Sequence, residues 1–113
     1  MNLRSLIRKY ILKDGKPVVE PDLLKWARWI EANKYRHQFS FHLGEVWVTT
    51  IFLGVDHNFG DQGPPLVFET MVFGGKHHLH CQRYSTLAQA KRGHAKLVTL
   101  IKTELASEIS VTE

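Results

Sequence analysis

Apolar positions along this chain follow two different periods, and the change from one to the other marks its parts. Leu23, Trp26, Ala27 and Ile30 recur at helical spacing and predict a first helix. Pro21, preorganised for a first helical position, marks its start and Asn33 its stop. From Gln38 the pattern becomes a series of short β-type runs. Gln38 to His42 reads as a strand broken by Gly44. Glu45 to Leu53 (EVWVTTIFL) is β-branched and aromatic on both faces, as a central strand requires. Leu66 to Phe73 has the same character, and a fourth strand is expected over His77 to Tyr84. Helical spacing returns from Thr86 to about Glu104, through Leu87, Ala90, His94, Leu97, Val98, Ile101 and Leu105, with Thr86 and Gln89 in the positions of a capping box. Ahead of the first helix, Tyr10 to Val19 predicts an extended segment folded back at Asp14-Gly15, with Pro17 confining it to an edge.

These elements predict an α+β fold, an antiparallel sheet of three to five strands with two helices packed on one face. Residues 1–113 are read as a single domain, ordered over about 9–105, with residues 106–113 frayed. Composition agrees: 43% hydrophobic and 23% charged residues are values of a globular chain. Cys81, the one cysteine, has no partner for an internal disulfide and suits a reducing compartment. No apolar run has the roughly 18 residues of a membrane span. Met1 to Leu12 has no uninterrupted apolar stretch of the signal-peptide kind. A cytoplasmic protein, without membrane association, is the expectation.

The net charge of +4 is unevenly spread. Residues 1–37 carry nine Lys and Arg against four acids, residues 38–75 carry none against four, and residues 76–113 carry six against three. Lys25 and Arg28 lie off the apolar stripe of the first helix; Lys91, Arg92 and Lys96 lie off that of the second. Solvated faces account for both. Side by side, they would form one basic surface for a nucleotide, a nucleic acid or an acidic protein.

Candidate chemistry gathers in two places. Asp56-His57 ends a central strand, where a carboxylate can orient an imidazole that activates water, and it opens a loop of about a dozen residues containing Asn58 and Asp61. Loops of that length in compact domains are often functional. In Lys76-His77-His78-Leu79-His80-Cys81, His78 and His80 would share one face of a strand and offer two imidazoles to a zinc ion, with Asp56 or His57 as a third ligand. A closed site needs three or four ligands, so no metal, cofactor or catalytic residue is assigned. Asp56, His57, Asn58, Asp61, Lys25, Arg28, Arg92 and Lys96 are the candidate binding residues.

The string WVTTIFLGVDHNFGDQGPPLVFETMVFGG, followed by RYSTLAQAKRGHAKLV, resembles a family of small uncharacterised proteins encoded by tailed bacteriophages and prophages. The matching residues are Asp14-Gly15, Trp26 to Trp29, Phe52 to His57, Phe68 to Gly75 and Arg83 to Thr86, within roughly residues 10–103. The His77–Cys81 run departs from the variable, acidic or Gly-rich loop of that family. The resemblance carries no established activity. It implies an accessory phage protein that inhibits a bacterial defence system or host factor by direct binding, without catalysis. The alternatives are a small hydrolase or nucleotide-processing enzyme using Asp56 and His57, metal-assisted or not, and a virion-associated structural protein. A host or defence protein is the expected partner, and an exposed β edge near Tyr10 or His80 would suit a homodimer.

Overall fold

The computed structural model describes residues 8–34, 38–60 and 62–112. Strands β1 (Tyr10–Lys13) and β2 (Lys16–Val19) form a two-stranded antiparallel ribbon. Its two-residue turn, Asp14-Gly15, has φ of 52° and 76°. Both positions thus lie in the left-handed region that matches the twist of a tight hairpin. Pro17 pairs with Leu12 and lies in β2, whose outer edge pairs with no other described strand, which is where a residue without an N–H is tolerated. The ribbon is tied to the rest of the chain by the Tyr10 amide, which donates to the Gly54 carbonyl at 2.8 Å.

Helix α1 (Leu23–Asn33) begins two residues later than Pro21 because Asp22 caps it. The Asp22 carboxylate accepts the Leu24 and Lys25 amides, both at 3.0 Å. These are two donors that the first turn would leave unpaired. Its inward side is also rotated from the expected stripe. Leu23 is 62% exposed, while Trp26, Trp29, Ile30 and Asn33 are half-buried. The Trp26 indole N–H reaches the carbonyls of Tyr10 (3.2 Å) and Gly54 (3.0 Å), so the helix is pinned by a polar contact as well as by packing.

Strands β3 (Gln38–Leu43), β4 (Val46–Phe52), β5 (Phe68–Phe73) and β6 (Cys81–Tyr84) form one antiparallel sheet in the order β3-β4-β5-β6. The fold is thus α+β, with sheets of two and four strands and two helices. The second helix, α2 (Leu87–Thr112), crosses one face of the larger sheet and touches β4, β5 and β6. Its capping box forms as the spacing predicts. The Gln89 amide donates to Thr86 Oγ1 at 3.1 Å, and Gln89 Oε1 accepts the Thr86 amide at 3.2 Å. The helix runs on to Thr112, past the end expected near Glu104. Leu105 and Ile109 prolong the helical spacing of the stripe.

The fourth strand also differs, starting at Cys81 and not at His77. Gly74 and Gly75, at φ of 82° and 71°, turn the chain off β5, and Leu79 is held at φ of 68°. His77 to His80 therefore close a compact turn, in which the His80 amide donates to the His77 carbonyl at 2.9 Å.

Register divides the sheet into rows. Facing α2, Phe52, Phe68 and Tyr84 form one row; Phe39, Thr50, Thr70 and Gln82 the next; Phe41, Val48 and Val72 a third. The first row joins Tyr10, Leu12, Val67 and Ala90 in one hydrophobic cluster, with Trp29 meeting Phe52 edge-on at 5.7 Å. The third joins Val46, Leu97 and Ile101 in another. Between the two clusters Thr50 and Thr70, both fully buried, bond to one another at 2.6 Å, and Thr50 bonds to His94 Nδ1 at 2.8 Å. No helix among the described residues is long and apolar enough to cross a membrane.

Candidate functional site

The Asp56 loop is built as a self-bracing structure. Asp56 is fully buried, and its Oδ1 accepts the amides of Asn58 (2.8 Å) and Leu66 (3.0 Å), which closes the loop's base. Asn58 does the same at the tip: its side-chain NH₂ donates to the carbonyls of Gln62 and Pro64, both at 2.9 Å, and its Oδ1 accepts the Gly60 amide at 3.1 Å. His57 Nδ1 pairs with the Val55 carbonyl at 3.0 Å, and its ring tilts against Phe59 at 5.8 Å. A carbonyl can only accept, so this contact fixes the proton on Nδ1. The geometry therefore differs from the carboxylate–imidazole pair that water activation needs. The carboxylate is engaged by backbone amides and the imidazole by a carbonyl. Asp61 lies outside the described residues.

Glu69 and Arg83 do not converge on this loop. They pair across β5 and β6, Arg83 Nε to Glu69 Oε2 at 2.9 Å, on the sheet face away from α2. The histidine run is likewise divided among separate partners. His77 Nε2 meets Glu104 Oε2 on α2 at 2.8 Å, and His78 Nδ1 accepts the Gly74 amide at 2.8 Å, while His80 is exposed. Because this segment is a turn, the face-sharing argument for His78 and His80 does not hold. Among the described residues no three His, Cys, Asp or Glu side chains are grouped to hold a metal ion. Partial burial, and then the Glu69 carboxylate, push the Cys81 thiol up, with Arg83 opposing. Cys81 is therefore a poorer nucleophile than an ordinary cysteine.

Lys25 and Arg28 are exposed on α1, and Arg92 and Lys96 on α2. Helix α1 packs on β1 and, through Trp29, on Phe52 of β4, α2 crosses the four-stranded sheet, and Arg92 and Lys96 line a groove beside β6.

The feature that residue patterns leave unmarked is the sheet face opposite α2. His42, Trp47 and Phe73 stand there in one cross-strand row. The His42 ring stacks on Trp47 (centroids 5.2 Å apart, planes 17° apart), and Trp47 meets Phe73 at 5.5 Å. Trp47 is 39% exposed. The next row, Ser40, Thr49, Met71 and Cys81, is uncharged, and the last contains Ile51 with the Glu69–Arg83 pair. Alternation in EVWVTTIFL shows that Trp47, Thr49 and Ile51 share a face, but only the pairing of β3, β4 and β5 brings three aromatic rings together. No family model matches the chain, and neither a curated protein nor a solved structure is found to be similar to it.

Proposed function

We propose that this chain is a phage-encoded binding protein that inhibits a bacterial defence system or host factor by docking on it, without catalysis, through the sheet face opposite α2. The observation that carries the reading is the solvent-facing row of His42, Trp47 and Phe73. Aromatic side chains and Met are enriched at the centres of protein interfaces, where large rigid rings bury area at small conformational cost. Met71 adjoins the row. Four strands about 4.8 Å apart and about six residues long span a face of roughly 20 Å by 20 Å, about half of what one partner contributes to a standard interface. That is an appropriate size for a desolvated centre with a polar rim. The face carries no net charge, its acid and its base being paired, which favours a protein partner over a phosphate backbone.

The engagement of Asp56 and His57 within their own loop favours binding over the hydrolase alternative. The test is capture of partners from bacterial lysate with the wild-type chain and with Trp47→Glu, paired with phage plating on defended hosts expressing each. One stoichiometric host protein captured by the wild type and lost with Trp47→Glu, with plating restored by the wild type alone, supports the reading. Equal capture and equal plating by both proteins would refute it.

A further inference from the structure

Strand β3 closes the four-stranded sheet on one side, and no other described strand pairs with its outer edge. Gly44 and Glu45 form a two-residue turn, so the flanking Leu43 and Val46 exchange both backbone bonds. Alternation then makes Phe41–Val48 and Phe39–Thr50 bonded pairs as well. The amides and carbonyls of Gln38, Ser40 and His42 are left pointing outward. The far side of β4 agrees: its odd-numbered residues bond to β5, a pattern that the Leu53 amide continues by donating to the Val67 carbonyl at 2.7 Å.

Sheet edges that stay single are blunted by charge, proline or short length. The other edges of this chain follow that rule. The ribbon carries Lys13, Lys16 and Pro17, and β6 has four residues including Arg83. β3 (QFSFHL) is six residues long and contains no Lys, Arg, Asp, Glu or Pro. Gln38, Ser40 and His42 are exposed along it. Because α2 packs over β4, β5 and β6, Phe39 and Phe41 at the margin of the helix-side face stay half-buried.

This edge is its own complement. Two copies of β3 set antiparallel about a two-fold axis at Ser40 place Ser40 opposite Ser40 of the second copy, and Gln38 opposite His42 of the second copy. Every outward-pointing residue then meets another, and each such pair exchanges two backbone bonds. Moving the axis to Phe41 would instead leave Gln38 facing the turn at Gly44. In the Ser40 register, Phe39 stands opposite Phe41 of the second copy in the closer, non-bonded positions, where aromatic pairs stabilise antiparallel strands. No acid or base of the strand is there to repel its twin.

We propose that the chain forms a symmetric dimer by antiparallel pairing of β3 with β3 of a second copy, joining two four-stranded sheets into one. Neither Tyr10 nor His80 offers such an edge, since Tyr10 is buried with its amide bonded to Gly54, and His80 closes a turn. An edge contact is small beside the roughly 800 Å² that each partner gives to a standard interface, so the dissociation constant is expected at roughly 1–100 μM. The pairing does not rest on the aromatic face as a docking surface.

The test is sedimentation velocity of the full chain over roughly 1 μM to 1 mM. The wild type passes reversibly from monomer to dimer, with no larger species. Ser40→Pro removes the central outward amide, and Ser40→Lys sets two ammonium groups face to face; each weakens the dimer about tenfold or more. Gln82→Lys, on the opposite edge, leaves it unchanged. Hydrogen exchange at the Gln38, Ser40 and His42 amides slows as the wild type dimerises, while that at the β6 amides does not. Thermal melting confirms that the variants are folded, and if Ser40→Pro is not, Ser40→Lys and the exchange rates decide. A chain still monomeric at about 1 mM, or association that continues past the dimer, overturns the proposal. So does a Ser40→Lys variant that dimerises as tightly as the wild type, or a dimer whose formation leaves exchange at those three amides unchanged.

Discussion

Gly93 sits in the interior of a helix of 26 residues. Helix propensity alone would favour alanine there by about 1 kcal/mol. The packing argues for the opposite sign. A Cβ at this position would come within 3.0 Å of the Tyr84 hydroxyl and of its ring carbons Cε1 and Cζ. The ring cannot swing aside, being 6% exposed and packed in the cluster with Phe68, Val67 and Ala90. Restoring an ordinary separation of about 3.5–4.0 Å requires the helix and β6 to part by roughly 1.5 Å. Forcing an extra carbon into such a site costs about 3 kcal/mol, the upper end of the usual range. Gly93→Ala is therefore expected to destabilise the chain by about 2 kcal/mol net, or roughly 10 °C in Tm for a domain of this size. Urea unfolding followed by circular dichroism of the helical signal measures it. The decisive comparison is the same substitution in a Tyr84→Leu background. With the ring gone, the propensity gain is left alone and Gly93→Ala becomes stabilising by about 1 kcal/mol, a coupling of about 3 kcal/mol between the two positions. A destabilisation of the same size in both backgrounds, or a stabilising Gly93→Ala in the wild type, would refute the packing argument.

Burial holds the His94 imidazole below its ordinary pKa, so the unfolded chain takes up a proton before the folded one. Stability present above about pH 6.5 is then lost as pH falls toward the folded-state pKa, and His94→Gln should flatten that slope in urea titrations run across this interval. Asp56→Ala leaves the Asn58 and Leu66 amides without their acceptor. It should cost about 3 kcal/mol, with faster hydrogen exchange at those two amides, whereas Asp56→Asn, which keeps an acceptor oxygen, should cost less. Asp22→Ala removes the cap of α1 and should cost about 1 kcal/mol by thermal melting. Glu69→Gln breaks an ion pair at the surface and should change stability by less than about 1 kcal/mol in the same assay.

Local chemistry is the legible part of this chain. Asp14-Gly15 announces its turn because few other dipeptides take two left-handed residues in succession. Thr86 with Gln89 announces a helix start because the cap is complete within one helical turn. The Glu69–Arg83 pair follows once adjacent strands are assigned. Features decided by distant partners do not show in the same way. The fate of Asp56 rests on the Leu66 amide far along the loop, and that of His77 on Glu104 of α2. The start of α1 is ambiguous because Pro21 and Asp22 are both good start residues, and the carboxylate, which can bond to two amides, decides the cap. The reach of α2 is hidden because the small and charged residues after Leu105 leave Ile109 alone to continue the helical spacing. Gly93 is recognisable as a point of close approach, but its tenant, Tyr84, is not.

The buried Thr50–Thr70–His94 belt also bears on how the strands find their alignment. The hydrophobic clusters above and below it consist of interchangeable apolar rings and branched chains. They would tolerate a shift of β4 against β5 by two residues, since that keeps every side chain on its own face. The belt does not tolerate it. Such a slip would place Thr50 opposite Phe68 or Val72. The fully buried Thr50 and Thr70 hydroxyls would then lose one another, at about 1–3 kcal/mol for each left without a partner. A few polar atoms in the middle of an otherwise forgiving apolar layer thus act as an index mark, admitting one alignment of the sheet and rejecting its nearest neighbours during folding.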